Sequence, residues 1–312
     1  MKINNLVKAI ISIFLITIIY YLIDFEQVLN SIINFNILFI LPIIVCFIIL
    51  FITGALNFKI LLDPFEKLPF FKLLKYYSFS WAMSFLTPGR IGELSIIYSI
   101  TKNSKIKTGQ ASAIFLINKV ITFFILSLSA IAVLLLFLKF ESTSTAIAAI
   151  VGLWMIATII LSKQGRNFIK KNILKKHAEK LIGFSKTISY YWKNQKHLLA
   201  LNFLITILNW GMQAMIAWLI LLGLGVETNY FTIYAISTSI SIISFIPFTF
   251  NGIGPREFLF ITLTGKIGVA AATAGATTAL SLAFNYLIFF ILSIIIIIDK
   301  SSKKIKNSTN NN

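Results

Sequence analysis

The apolar residues of this chain come in blocks long enough to cross a lipid bilayer, and that limits the fold more than any other feature. A hydrocarbon core of ~30 Å takes about 20 residues of helix. Blocks on that scale cover residues 6–23, 37–57, 108–138, 146–161, 198–222 and 269–298. Only 12% of the 312 residues are charged, against about a quarter in an ordinary globular chain, which leaves too little polar surface for a soluble domain. The expected fold class is therefore all-α: a polytopic membrane protein of about six full transmembrane helices. Lys2 and Lys8 precede the first block as they would in a signal peptide, but no small-residue cleavage site follows, so a retained first span is expected.

The formal net charge of +18 would attract phosphate of any kind. Its distribution points to topology and not to nucleic acid. Between residues 163 and 197 the chain carries ten Lys or Arg residues against the single acid Glu179. Lys102, Lys105 and Lys107 form a second basic cluster, and Lys300, Lys303, Lys304 and Lys306 a third. The segments around Asp24 and Glu227 carry no cation. This is the positive-inside pattern. It places the basic loop 163–197 and both termini in the cytoplasm, at the cell membrane, with 301–312 as a disordered tail. The loop is also suited to anionic inner-leaflet lipid. Cys46 has no partner for a disulfide, and His177 and His197 lie apart from any Cys or His cluster, so no metal and no cofactor are expected.

Placing the basic loops inside fixes two further segments by parity. Residues 59–102 must begin and end inside, yet contain the apolar stretch 76–87, whose twelve residues rise only ~18 Å as helix. Residues 228–269 must begin and end outside, with apolar stretches at 231–246 and 256–263. Both are expected as re-entrant broken-helix hairpins. The chain then reads as a single transmembrane domain, 1–300, in two halves of opposite orientation, about 1–139 and 140–300. Such inverted repeats place their ligand site near the midplane, where broken helices meet.

The two expected breaks share their ingredients. SFLTPGRIGE (84–93) and SFIPFTFNGIGPRE (244–257) each hold an SF pair, a proline, two glycines, an arginine and a glutamate. The chain has 25 lysines and three arginines, and two of the arginines, Arg90 and Arg256, sit here with Glu93 and Glu257. A guanidinium is a planar, permanently charged fork that holds phosphate at two points. Charges at this depth mark a functional site by default. Pro88 and Pro255 suit a first helical turn, and Gly89, Gly92, Gly252 and Gly254 permit tight reversals, with Pro247 a further breaker. Helices restarting at Pro88 and Pro255 would aim two positive N-termini at one anion. Arg90 and Glu93 share a helix face. Arg256 and Glu257 are adjacent and point apart, so pairing is expected across the repeat, Arg256 with Glu93 or Glu257 with Arg90. The four charges fit either lipid contact or simple locking of the hairpins. Lys119 either snorkels or lines the same cavity.

With these motifs in view, the chain resembles the transmembrane region of lysylphosphatidylglycerol synthases, a flippase-like family. The likeness rests on PGRIGE (88–93) and on Pro247 with NGIGPRE (251–257), and runs over about 37–298. It implies a lipid flippase or lipid-binding protein acting on an anionic phospholipid headgroup, without the aminoacyl-transfer domain that long members carry. It also departs from the family pattern. Where members commonly carry a Glu-Arg pair and then an acid, this chain has Asn118, Lys119 and Thr122. An arginine often seen in the last span has no counterpart in 269–298.

No enzymatic activity is expected, and the partners expected are an anionic membrane lipid and a lipid-modifying enzyme, with no nucleic acid. Two other functions stay open. Asp24 and Glu26 form an acidic pair in the first outer loop, as in a membrane-embedded glycosyltransferase using a polyprenyl-phosphate donor. The basic loop could equally make the chain a scaffold for that lipid-modifying enzyme.

Overall fold

A computed structural model gives the fold of residues 5–137, 150, 154, 183–247 and 249–309. Among these residues the chain is helical, and the one piece of extended pairing is an isolated antiparallel bridge between Pro88 and Phe250. Among the described residues four helices are long and apolar enough to cross a membrane. They are α3 (Ile40–Leu62), extended at its start by a 3₁₀ turn at Ile37–Phe39, α6 (Thr108–Phe137), α8 (Lys196–Gly223) and α11 (Ala271–Thr309). Each falls on an expected apolar block. Apart from residues 150 and 154, the expected block 146–161 lies outside the described residues, as does most of the basic loop.

The first block forms α1 (Asn5–Leu22), which turns through 86° into α2 (Phe25–Ile33). The corner is Asp24, at φ 66°, whose carboxylate accepts from the backbone N–H of Gln27 at 3.4 Å and its side-chain amide at 2.8 Å. Capping of this kind starts a helix by satisfying its free donors. The segment expected as an outer loop is thus a short amphipathic helix. Val28 is buried near Gly275 of α11, while Phe25, Leu29 and Ile33 stay exposed. The count of spans among the described residues is therefore four, or five with the bent pair. The expected tail also differs, since α11 continues to Thr309. No glycine or proline after Gly275 interrupts it.

Helices α3 and α8 are the central pair, and side-chain amides tie them together. Asn202 Nδ2 donates to the Asn57 carbonyl at 3.0 Å and to Asn57 Oδ1 at 3.1 Å, and Asn57 Nδ2 donates to Thr206 Oγ1 at 3.1 Å. One turn on, Asn209 Nδ2 donates to the Leu50 carbonyl and to Thr53 Oγ1, both at 2.8 Å. Lipid tails are as apolar as leucine, so helices in a membrane gain little from apolar contact alone and are held by such bonds, at about 1 kcal/mol each.

Between the spans lie the two broken segments. The first runs from α4 (Phe70–Phe85) through a 3₁₀ turn at Ile91–Leu94 into α5 (Ser95–Lys102). The second runs from α9 (Tyr230–Ile240) through a 3₁₀ turn at Ser241–Phe245 to α10 (Pro255–Gly265). α7 (Phe184–Asn194) precedes α8 and packs its buried Tyr191 under α3, where the phenol donates to the Leu61 carbonyl.

Each break is made by two consecutive residues in the left-handed region. These are Gly89 and Arg90, at φ 61° and 55°, and Asn251 and Gly252, at φ 50° and 76°. The residue before each pair, Pro88 or Phe250, is a member of the bridge, so the two breaks meet back to back. Pro255 opens α10 at its first position, as expected. Pro88 does not open a helix. It lies in the bridge, and the left-handed pair behind it delays the restart to Ile91.

Backbone groups freed by the breaks find partners inside the protein. The Gly92 N–H donates to Thr87 Oγ1 at 2.7 Å, Ser80 Oγ donates to the Glu93 carbonyl at 2.6 Å, and the Phe250 N–H donates to Ser12 Oγ of α1 at 3.2 Å. Irregular backbone survives at membrane depth only with such burial. Closure of the first break depends on Gly92, where a Cβ would collide with the backbone carbonyl of Met83. Gly92→Ala should destabilise the folded protein by about 1–3 kcal/mol, the usual cost of overpacking, and lower its melting temperature in detergent. Gly265→Ala, at an open position, should leave that temperature unchanged. A stable Gly92→Ala protein would show that the hairpin does not close as described.

Candidate functional site

The charged residues of the two breaks line two cavities that follow one another along α8, the first beside Thr206, Asn209 and Gln213 and the second beside Gln213, Ile216 and Ala217. The first, of about 70 Å³, lies against Arg90, Glu93 and Lys119, with Tyr77, Asn118 and Thr122. The second, of about 60 Å³, lies against Arg256 and Glu257, with Ser237, Thr278 and Asn285. Each has room for several waters. Gln213 of α8 lines both.

In the first cavity one carboxylate is held between two cations. Glu93 Oε1 lies 2.6 Å from Arg90 Nε, and Glu93 Oε2 is paired with Lys119 Nζ. The Arg90 N–H is not aligned along its contact, so the pair is held by charge more than by a directed hydrogen bond. The Phe245 ring, from the other half of the chain, covers both cations. Its centroid is 5.3 Å from the Arg90 guanidinium carbon and 5.5 Å from Lys119 Nζ. The Phe115 ring lies 5.4 Å from Lys119 Nζ. Such faces attract cations where water is scarce. Lys119 therefore turns into the cavity and does not snorkel. Two cations against one carboxylate leave a single positive charge over.

In the second cavity the charges balance. Arg256 donates to Glu257 Oε1 from Nη2 at 3.0 Å and from Nε at 3.2 Å. Glu257 Oε2 accepts the Gly254 N–H at 2.6 Å, and the residue is 1% exposed. The expected pairing across the repeat is thus replaced by pairing within each motif. The helix start explains why. At the third helical position Glu257 folds back to cap Gly254, which carries its carboxylate toward the N-terminal end, within reach of Arg256. Gly254 itself sits at φ 97°, with a Cβ excluded by Leu15 of α1.

The breaks meet through Pro88 and Phe250, and Gly89 packs against Pro247 and the Phe245 carbonyl. Their charged residues are divided between two adjoining cavities and do not form one cluster. Lys266 lies elsewhere, beside the Phe137 ring at 5.9 Å.

Sequence reasoning passed over the polar stripe of α8. Asn202, Thr206, Asn209 and Gln213 stand four, three and four residues apart and so share one helix face. Amides at that spacing inside an apolar block were the available signal. Asn57 and Tyr77 gave no comparable pattern. Among the described residues no group of His, Cys, Asp and Glu could hold a metal ion.

Comparison with known families gives a match over residues 5–293 to the family described as the lysylphosphatidylglycerol synthase TM region. Curated proteins and solved structures yield no match. With nearly the whole chain covered, from α1 through both breaks and into the last span, this protein belongs to the lysylphosphatidylglycerol synthase transmembrane-region family.

Proposed function

We propose that this protein binds the headgroup of an anionic phospholipid at the two breaks and passes it between leaflets of the cell membrane. The observation that carries the proposal is the surplus positive charge beside the first cavity, where Arg90 and Lys119 share Glu93. An unmatched cation at membrane depth is costly, and a phosphate would complete its pairing. Gln213, common to both cavities, gives the headgroup a polar contact between them along α8. Membership of the family supports a role in lipid metabolism or transport.

The topology that goes with this function is six spans and two re-entrant hairpins, built as an inverted repeat with both termini cytoplasmic. The paired left-handed residues and the bridge between the breaks support the repeat, and the basic clusters support the orientation. Transport would be downhill or coupled to an ion gradient, without enzymatic chemistry. Of the two acids that favoured a glycosyltransferase, Asp24 and Glu26, the first is engaged as the cap of α2.

Orientation is tested by single cysteines in a Cys46→Ser background. A membrane-impermeant maleimide applied from outside should label Gln27→Cys and Asn229→Cys but spare Lys105→Cys and Lys186→Cys. Labelling of either lysine position from outside contradicts the topology.

Function is tested by Arg90→Lys and Arg256→Lys, assayed for transfer of labelled phosphatidylglycerol between leaflets of proteoliposomes. Lysine keeps the charge that neutralises each glutamate but loses the two-point fork. Loss of one charge-assisted hydrogen bond, at about 1.5–3 kcal/mol, corresponds to roughly ten- to hundredfold weaker headgroup binding. Transfer should fall on that scale while abundance holds. Normal transfer by both variants would make the arginines structural.

A further inference from the structure

We infer that the site takes a headgroup with one phosphodiester charge and uncharged hydroxyls, and turns away headgroups that carry an ammonium. This rests on the lipid-transfer function proposed above and narrows its substrate. Every carboxylate oxygen in the two cavities is already engaged. Glu93 gives one oxygen to Arg90 and the other to Lys119. Glu257 gives one oxygen to both donors of Arg256 and the other to the Gly254 amide. Among the described residues that line either cavity there is no third acid.

An ammonium entering here would have to take Glu93 or Glu257 from its present partners. Removing one member of a buried pair strands the other charge. The Phe115 and Phe245 faces are no substitute, since Lys119 and Arg90 already cover them. A zwitterionic or aminoacylated headgroup therefore finds no free carboxylate to pair its amine.

A phosphodiester meets the opposite situation. Its single charge matches the one positive charge left over beside Glu93, whereas a phosphomonoester would bring more charge than that surplus compensates. The remaining polar wall suits hydroxyls. Asn118, Thr122 and Gln213 offer amide and hydroxyl groups to the first cavity, and such groups both donate and accept. In the second cavity Ser237 Oγ is buried without a partner. A glycerol-type headgroup in either cavity can bond to such groups in either orientation.

The test uses the full-length protein in vesicles with trace labelled phosphatidylglycerol, its lysyl ester, phosphatidylethanolamine or phosphatidic acid. Phosphatidylglycerol should cross at least about tenfold faster than the two amine-bearing lipids, the scale set by one charged contact, and faster than phosphatidic acid. Equal or faster transfer of the lysyl ester or phosphatidylethanolamine overturns this inference and leaves lipid transfer standing. No transfer of any lipid above protein-free vesicles overturns the function itself. Lys119→Met removes the surplus charge and leaves Arg90 paired with Glu93. With an unchanged melting temperature it should bring phosphatidylglycerol and phosphatidylethanolamine to within about threefold of each other. A melting temperature lowered by this substitution would call for the same comparison in Lys119→Gln. Retention of the full preference in a folded variant of either kind contradicts the charge assignment.

Discussion

A helix cannot be broken inside a membrane unless its freed backbone groups find partners in the protein, and here they find them within the first hairpin, in α1 and in one bridge between the two breaks. Pro88 and Phe250 pair directly, and a left-handed turn follows each of them. The neighbourhood of the two turns is dictated by that contact. Phe245 is brought over Arg90 and Lys119, Gly89 is pressed against Pro247, and Ser12 of α1 is drawn in to accept the Phe250 amide. Two segments remote in sequence thereby become one structural unit between α3, α6, α8 and α11.

The charges depend on this unit and also help to hold it. Arg90 occupies a left-handed conformation that costs a non-glycine residue about 1–3 kcal/mol. Its contact with Glu93 offsets that cost, and the resulting turn sets the guanidinium at the cavity wall. Glu257 has two tasks, capping α10 and neutralising Arg256. The first cavity is left with excess positive charge and the second with none. A headgroup moving between them would leave a site with a charge to satisfy for one that offers mainly hydroxyls and amides.

Much of the fold was legible because long apolar helices leave an unmistakable trace. The ends of α6 and α8 fall within a few residues of their expected blocks. The two breaks were legible from the prolines and glycines that interrupt their apolar stretches. Charge pairing was not. Whether Glu257 meets Arg256 or Arg90 depends on the backbone of Gly254, and composition carries no record of a φ angle. The delayed restart after Pro88 was hidden in the same way, because a proline fits both a first helical turn and a bridge. The elbow at Asp24 and the short helix behind it escaped because the apolar block ends at residue 23 and the acidic segment that follows reads as a loop. The amide ladder between α3 and α8 was written in the sequence at helical spacing, but its residues are uncharged and stood out less than the arginines.

The meeting of the two breaks can be measured without any lipid. In an antiparallel bridge the facing Cα atoms lie about 4.5–5.5 Å apart, inside the span of about 4.4–6.8 Å that a disulfide tolerates. With Cys46 replaced by alanine, the pair Pro88→Cys and Phe250→Cys should cross-link on mild oxidation in native membranes. Mass spectrometry should then recover the two peptides joined. If both thiols react with a small permeant maleimide yet no joined peptide forms, the breaks do not face each other, and the two adjoining cavities described here do not exist.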